Sequence, residues 1–304
     1  METSTLAWFR TADPDPSNSL DDTALLIDRL RATYHIDVVT AASAHDFLWR
    51  HFRTRYDLCV YEVREDRAHQ FIPPYLAHYP GIVVLRGRPH QTTRALHSAR
   101  VIVTPHSAAT ERLQDEFPGA RVRFAPAGIR PPSPLHGFGA AGDVVADLEW
   151  PPKGDAPTTA LSAMAAGRAV VVFETEETAD WPALNPQTWQ SRDVLGGAGG
   201  ASPFAPADPI VVTIDPRDAE HSLKLAMRRL STDVALRERL GVAARAWWTT
   251  HATVGHAVKA WEAIIAEALT LPPASQSADW QAPQDGTSLA REILAEFGVS
   301  VDLF

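Results

Sequence analysis

This 304-residue chain has one cysteine and no excess of basic charge. No apolar run in it approaches the ~20 residues of a membrane span. With Cys59 alone, no intrachain disulfide can form, and a reducing compartment is compatible. Cys59 lies inside the apolar run 58–61, which predicts a buried, inert thiol. The formal net charge is −9 at pH 7, so nothing draws the chain as a whole toward nucleic acid or anionic lipid. Arginine clusters such as Arg228–Arg229 and Arg237 with Arg239 read as solvated helix faces. The apolar stretch at 6–9 is too short for a signal-peptide core. These absences predict a cytoplasmic protein with no integral membrane segment and no nucleic-acid partner.

What is present is a strand–helix rhythm. Short apolar runs recur at 6–9, 36–40, 58–61, 82–85, 101–104 and 122–125, separated by helix-length segments. That pattern predicts a parallel sheet covered by helices on both faces. Three prolines followed by three glycines mark residues 131–142 as a linker. A second α/β segment follows, with strands expected at 143–148, 170–173 and 210–214. Asp215–Pro216 is an N-cap and N1 pair. Leu223, Met227 and Leu230 mark the expected core face of the helix it opens. Val254, Val258, Trp261, Ile265 and Ala268 form another amphipathic stripe. Residues 272–287 read as a second linker, and 288–304 as a short helix that packs back on the first domain. The expected division is 1–130, a 131–142 linker, 143–271, a 272–287 linker and 288–304.

The most informative stretch is 154–173, GDAPTTALSAMAAGRAVVVF. It reads as a loop, a small-residue helix, a glycine stop at Gly167 and a buried strand. Small residues let that helix lie close to its sheet. Its N-terminal end, near residues 155–159, is a place where exposed N–H groups can meet a phosphate or hydroxyl-bearing ligand. Lys153 can add a point charge for phosphate. Any α/β unit shows much of this pattern, and Asp155 also reads as a cap or exposed loop acid.

Ligands in doubly wound folds sit outside the carboxyl ends of the strands. The loop after the first strand, with Ser17 and Asn18, falls there, as do His69 and His106. Each also has a plain reading, as a solvated turn or a helix-start packing residue. The run 196–200 (GGAGG) lacks the Lys-Ser/Thr of a P-loop and reads as a surface loop. His45 and His51 flank Trp49, with Phe52 next, which predicts a packed helix rather than a metal site. No His/Cys/Asp/Glu cluster has metal spacing, so no metal is expected.

These segments, taken in order, resemble family-4-type glycosyltransferases of the GT-B fold. LAWFRTADPDPSNSLDDTALLIDRL resembles the opening strand, acceptor loop and first helix. YDLCVYEV with His69 and FIPPYLAHYPGIVVL resembles the next strand–helix–strand unit, and SARVIVTPHSAATERLQDEFPGARVRFAPAGI the close of the first domain. ADLEWPPKGDAPTTALSAMAAGRAVVVFETEETADWPAL resembles the donor-site segment. PIVVTIDPRDAEHSLKLAMRRL through HATVGHAVKAWEAIIAEA resembles the last helices. The resemblance implies an α/β protein of two Rossmann-like domains. It also implies retaining, hexosyl-type transfer from a nucleotide sugar to a glycan or lipid-linked glycan, with no cofactor beyond the nucleotide-sugar substrate. Asp155 and His69 would be catalytic, Lys153, Thr158, Thr159 and Ser162 donor-binding, and Ser17, Asn18 and His106 acceptor-side. Loss of diphosphate binding on Asp155→Ala is the matching expectation.

The departures from the family pattern are specific. Ser162 stands where the second acid of an E-x7-E pair belongs. Arg86 follows the fourth strand where a His is usual, with His90 out of register. The first-loop glycine is missing. One βαβ unit needs about 30 residues, and the 13 residues 130–142 leave no room for the family's first donor-domain unit, which normally carries an Arg/Lys pair. The second domain is therefore expected to be a truncated, three-stranded remnant. A catalytically degenerate relative serving as a binding or partner module is the alternative, and a partner chain can complete the short domain.

Overall fold

The computed structural model describes residues 3–12, 22–64, 66–87, 96, 98–130, 144–152, 154–192 and 208–272. Ser17, Asn18, His90, Lys153, the 196–200 glycine run and the expected 288–304 helix lie outside the described residues.

Six parallel strands form the first sheet: β1 (Thr5–Phe9), β2 (His35–Val39), β3 (Leu58–Val63), β4 (Ile82–Leu85), β5 (Val101–Thr104) and β6 (Val122–Phe124). Their order is β2-β1-β3-β4-β5-β6. The strands read as continuous apolar runs because both faces are covered. Leu6, Trp8, Leu58, Val60, Ile82 and Val84 face one side with helix α1 (Asp22–Leu30). Ala7, Phe9, Cys59, Tyr61, Val83 and Leu85 face the other side. Phe47 of α2 (Phe47–Arg53), Leu76 of α3 (Ile72–His78) and Leu113 of α4 (Ser107–Glu116) pack there. Cys59 is buried and its thiol is pushed up to about 11 by burial, as expected of an inert group.

The second sheet is parallel and four-stranded, in the order β7-β8-β10-β9. Its strands are β7 (Val144–Asp147), β8 (Ala169–Phe173), β9 (Ala183–Leu184) and β10 (Val211–Ile214). Three were expected; β9 has two residues and carries no periodicity from which to read a strand. Helix α5 (Thr158–Ala165) is the small-residue helix, and Gly167 ends it at φ +70°. α7 (Val234–His251) packs beside it, and α6 (Ala219–Thr232) covers the other face of the sheet. On α6 the inward residues are Ala226 and Leu230, while Met227 is exposed, one position off the expected face.

Helix α8 (Val254–Thr270) falls within the 143–271 span but packs on the first sheet. Trp261 lies 4.8 Å from the Trp8 ring, Arg123 pairs with Glu267 at 2.6 Å, and Arg100 donates to the Ala268 carbonyl. The crossing is tight where α8 begins. A Cβ on Gly128 would sit 2.7 Å from the Ala257 Cβ, so only glycine lets the two segments meet. No described helix is long and apolar enough to cross a membrane.

The α2 expectation is corrected. Trp49 and Phe52 are 72% and 85% exposed, because only Phe47 of this helix turns into the core.

Candidate active site

In the first sheet the winding reverses between β1 and β3, and a crevice opens outside the carboxyl ends of its strands. A cleft of about 420 Å³ lies there, lined on the far side by Glu149, Asp155, Ala156 and Thr158 of the second lobe. Its floor is Trp8, Glu62, Arg86 and Thr23. Glu62 is 6% exposed, and its carboxylate accepts the Trp8 indole N–H at 2.8 Å. Arg86 lies 3.8 Å from the other Glu62 oxygen and donates to the Thr23 hydroxyl at 2.7 Å. A buried carboxylate is held this way by a donor and a cation together.

His69 lines the cleft and is buried. It ends a short 3-10 turn (Arg67–His69) directly after β3. Its Nδ1 lies 2.7 Å from Asp66 Oδ1, and the same carboxylate oxygen accepts the His69 backbone N–H. Burial raises the Asp66 carboxyl, but hydrogen bonds from the His69 ring and from the backbone of His69 and Ala68 outweigh it and hold the group below its ordinary value. An ionised carboxylate at Nδ1 orients the imidazole and leaves Nε2 as the remaining proton acceptor.

Asp155 comes from the second lobe and is ion-paired across the cleft with Arg64, the residue after β3. The Asp155 loop is set by two buried residues that grip Gly154. Glu177 accepts the Gly154 N–H at 2.8 Å, and the His106 ring hydrogen-bonds the Gly154 backbone. His106 is also the N-cap of α4, accepting the Ala109 N–H through Nδ1 at 3.3 Å. It therefore shapes the lobe junction from behind rather than lining the main cleft, where the sequence placed it on the acceptor side. Arg112 with Glu176 at 2.7 Å, and Ser107 with Asp180, tie the same junction.

The remaining donor-side residues separate. Thr158 faces the cleft, Thr159 is exposed at its margin, and Ser162 is buried on the core side of α5 with no hydrogen-bond partner for its hydroxyl. The N-terminal end of α5 is not fully open, because Asp147 Oδ2 accepts the Ala160 N–H at 3.0 Å. Burial raises the Asp147 carboxyl, against that hydrogen bond and with the help of nearby Glu149.

Glu62, Arg64 and Asp66 were missed by sequence reasoning. The signal was legible in YEVRED, where four charged residues crowd the carboxyl end of a buried strand. Among the described residues no cluster of three or more His, Cys, Asp or Glu could hold a metal ion.

A pH dependence follows from His106. Burial pushes its ring below the ordinary histidine range despite the acidic neighbours Glu177, Glu176 and Asp180. The unfolded ring takes up a proton near about pH 6.5 and the folded ring only at lower pH. Stability is then complete above about pH 6.5 and falls as the pH drops toward the folded value. His106→Asn, which keeps an N-cap residue, is expected to flatten that fall in thermal unfolding followed from neutral to mildly acid pH. An unchanged slope would place the acid sensitivity elsewhere.

Comparison of the sequence with protein-family models and with curated proteins finds no match in either.

Proposed function

We propose that the chain is a GT-B-like glycosyltransferase that transfers a sugar from a nucleotide-sugar donor to a glycan-type acceptor hydroxyl in the cleft between the two sheets. The observation that carries this reading is the Asp66–His69 pair on the first-lobe wall of a cleft whose opposite wall is the loop and N-terminal end of α5. His69 accepts the proton of the attacking hydroxyl as the sugar–diphosphate bond breaks, an inverting displacement in place of the retaining course that the resemblance implies, and Asp66 stabilises the imidazolium that forms. Arg64 and Arg86 are the described cations on the cleft, and they supply charge for the leaving diphosphate. Arg64 reaches that role by leaving Asp155, so the pair acts as a latch that the donor opens.

This assigns Asp155 a role opposite to the one its position in the sequence suggested. Arg64→Ala is expected to weaken nucleoside diphosphate binding by about tenfold or more, the value of a charge-assisted hydrogen bond. Asp155→Asn frees Arg64 and is expected to hold or tighten binding. The test is nucleoside diphosphate release from a panel of nucleotide sugars, with water as the acceptor of last resort. Release by the wild type that falls in Arg64→Ala and persists in Asp155→Asn supports the reading.

A degenerate relative that binds a partner or a neutral glycan is the second reading, and one observation favours it. The carboxylate of Asp147 occupies an N–H at the very helix end that would meet a diphosphate. A folded protein that releases no diphosphate from any sugar of the panel supports this second reading.

A further inference from the structure

Helix α2 carries a surface that neither the fold nor the cleft uses. Leu48, Trp49 and Phe52 are 54%, 72% and 85% exposed. At 100° per residue they fall within about a quarter-turn to a third of a turn of one helix face. The opposite face is pinned. Phe47 is fully buried and contacts Phe9, Tyr56 and Tyr75, and the Tyr75 hydroxyl donates to the Ala44 carbonyl at 2.9 Å. The apolar face is therefore held outward by a rigid base. Around it stand Arg50, Arg53 and Arg55, with His45 and His51. Arg50 is shared with Asp46 at 3.9 Å, while Arg53 and Arg55 form no ion pair with a carboxylate among the described residues. A locally basic, aromatic patch thus projects from a chain of net charge −9.

We propose that this patch docks the protein on an anionic lipid surface, with Leu48, Trp49 and Phe52 entering the headgroup boundary and Arg53 and Arg55 pairing with lipid phosphates and carboxylates. The chemistry of the two halves selects this occupant. A tryptophan and a phenylalanine on one face with arginines at its border is the composition of an interfacial helix. Each basic residue near an anionic bilayer adds about 1 kcal/mol of attraction. A second copy of the chain related by a twofold axis would instead set the three arginines against their own kind. The 3-10 turn Ala44–Asp46 that leads into α2 follows the carboxyl end of β2, on the sheet edge that opens to the cleft.

The test is vesicle flotation of the full chain with phosphatidylcholine vesicles and with phosphatidylcholine–phosphatidylserine vesicles, at low and high salt. The wild type is expected to float with the anionic vesicles, and to lose that binding in high salt. Trp49→Ser with Phe52→Ser, both at exposed positions, is expected to reduce partitioning at least about tenfold. Arg53→Glu with Arg55→Glu keeps the apolar face and is expected to reduce it similarly. No flotation of the wild type with anionic vesicles, or double variants that float like the wild type, would overturn the proposal. So would a patch whose loss changes the sedimentation of the free protein and leaves flotation untouched, because the occupant would then be a second copy.

Discussion

Replacing His69 with alanine is expected to lower turnover by about 10²–10⁴-fold while leaving the affinity for nucleoside diphosphate unchanged. The reason is positional. His69 sits on the first-lobe wall, its Nδ1 held by Asp66, whereas the groups assigned to the diphosphate are arginines. Loss of a proton acceptor acts on the chemical step, and loss of a cation acts on binding. Asp66→Asn is expected to cost less than His69→Ala, since the amide can still hold the ring but stabilises the imidazolium poorly. Steady-state kinetics of the three proteins, with diphosphate titrations alongside, separate these effects. A loss of less than about tenfold for His69→Ala would transfer the proton to the leaving phosphate, as in a retaining transfer, and remove His69 from the reaction.

Replacing Trp8 with alanine is expected to destabilise the fold by about 3–5 kcal/mol. Trp8 is wholly buried on β1, between β2 and β3 of the first sheet. Its ring packs on Trp261, so the substitution also loosens α8, the helix that returns from the second lobe. Its indole N–H is the near donor to the Glu62 carboxylate, which has Arg86 as its other partner. Trp8→Phe separates the two contributions. It keeps most of the packing and leaves one carboxylate oxygen without its donor, an effect of about 1–3 kcal/mol. Urea unfolding measures both. A cost below about 1 kcal/mol for Trp8→Ala would mean that the α8 contact contributes little to holding the lobes together.

The strands were legible because a parallel sheet covered on both faces turns each strand into an apolar run. Val170–Phe173 with Gly167 before it is the clearest instance, down to the positive φ of that glycine. The two-residue β9 is too short to carry a period. Helix α8 was legible as an amphipathic helix, but its stripe does not say which sheet it covers. The same limit explains α2. Its aromatic residues marked an apolar face, and an apolar face without a known neighbour reads as packed, whereas Trp49 and Phe52 point away from the core. The cleft was legible by place and illegible by partner. His69, Asp155 and Thr158 all line it, but Arg64 and Asp155 lie 91 residues apart, and no local pattern announces an ion pair between lobes. His106 follows a strand, which is compatible with a ligand residue and with a helix-start packing residue alike, and its ring is spent on the N-cap of α4 and on Gly154.

The central claim is that the cleft between the two sheets holds a nucleoside diphosphate. Isothermal titration of the full chain with UDP, GDP, ADP and their common sugar conjugates tests it most directly. Saturable binding of one of these nucleotides at one site per chain is expected, weakened by Arg64→Ala and retained in Asp155→Asn. No binding by a well-folded protein across the whole panel would contradict it.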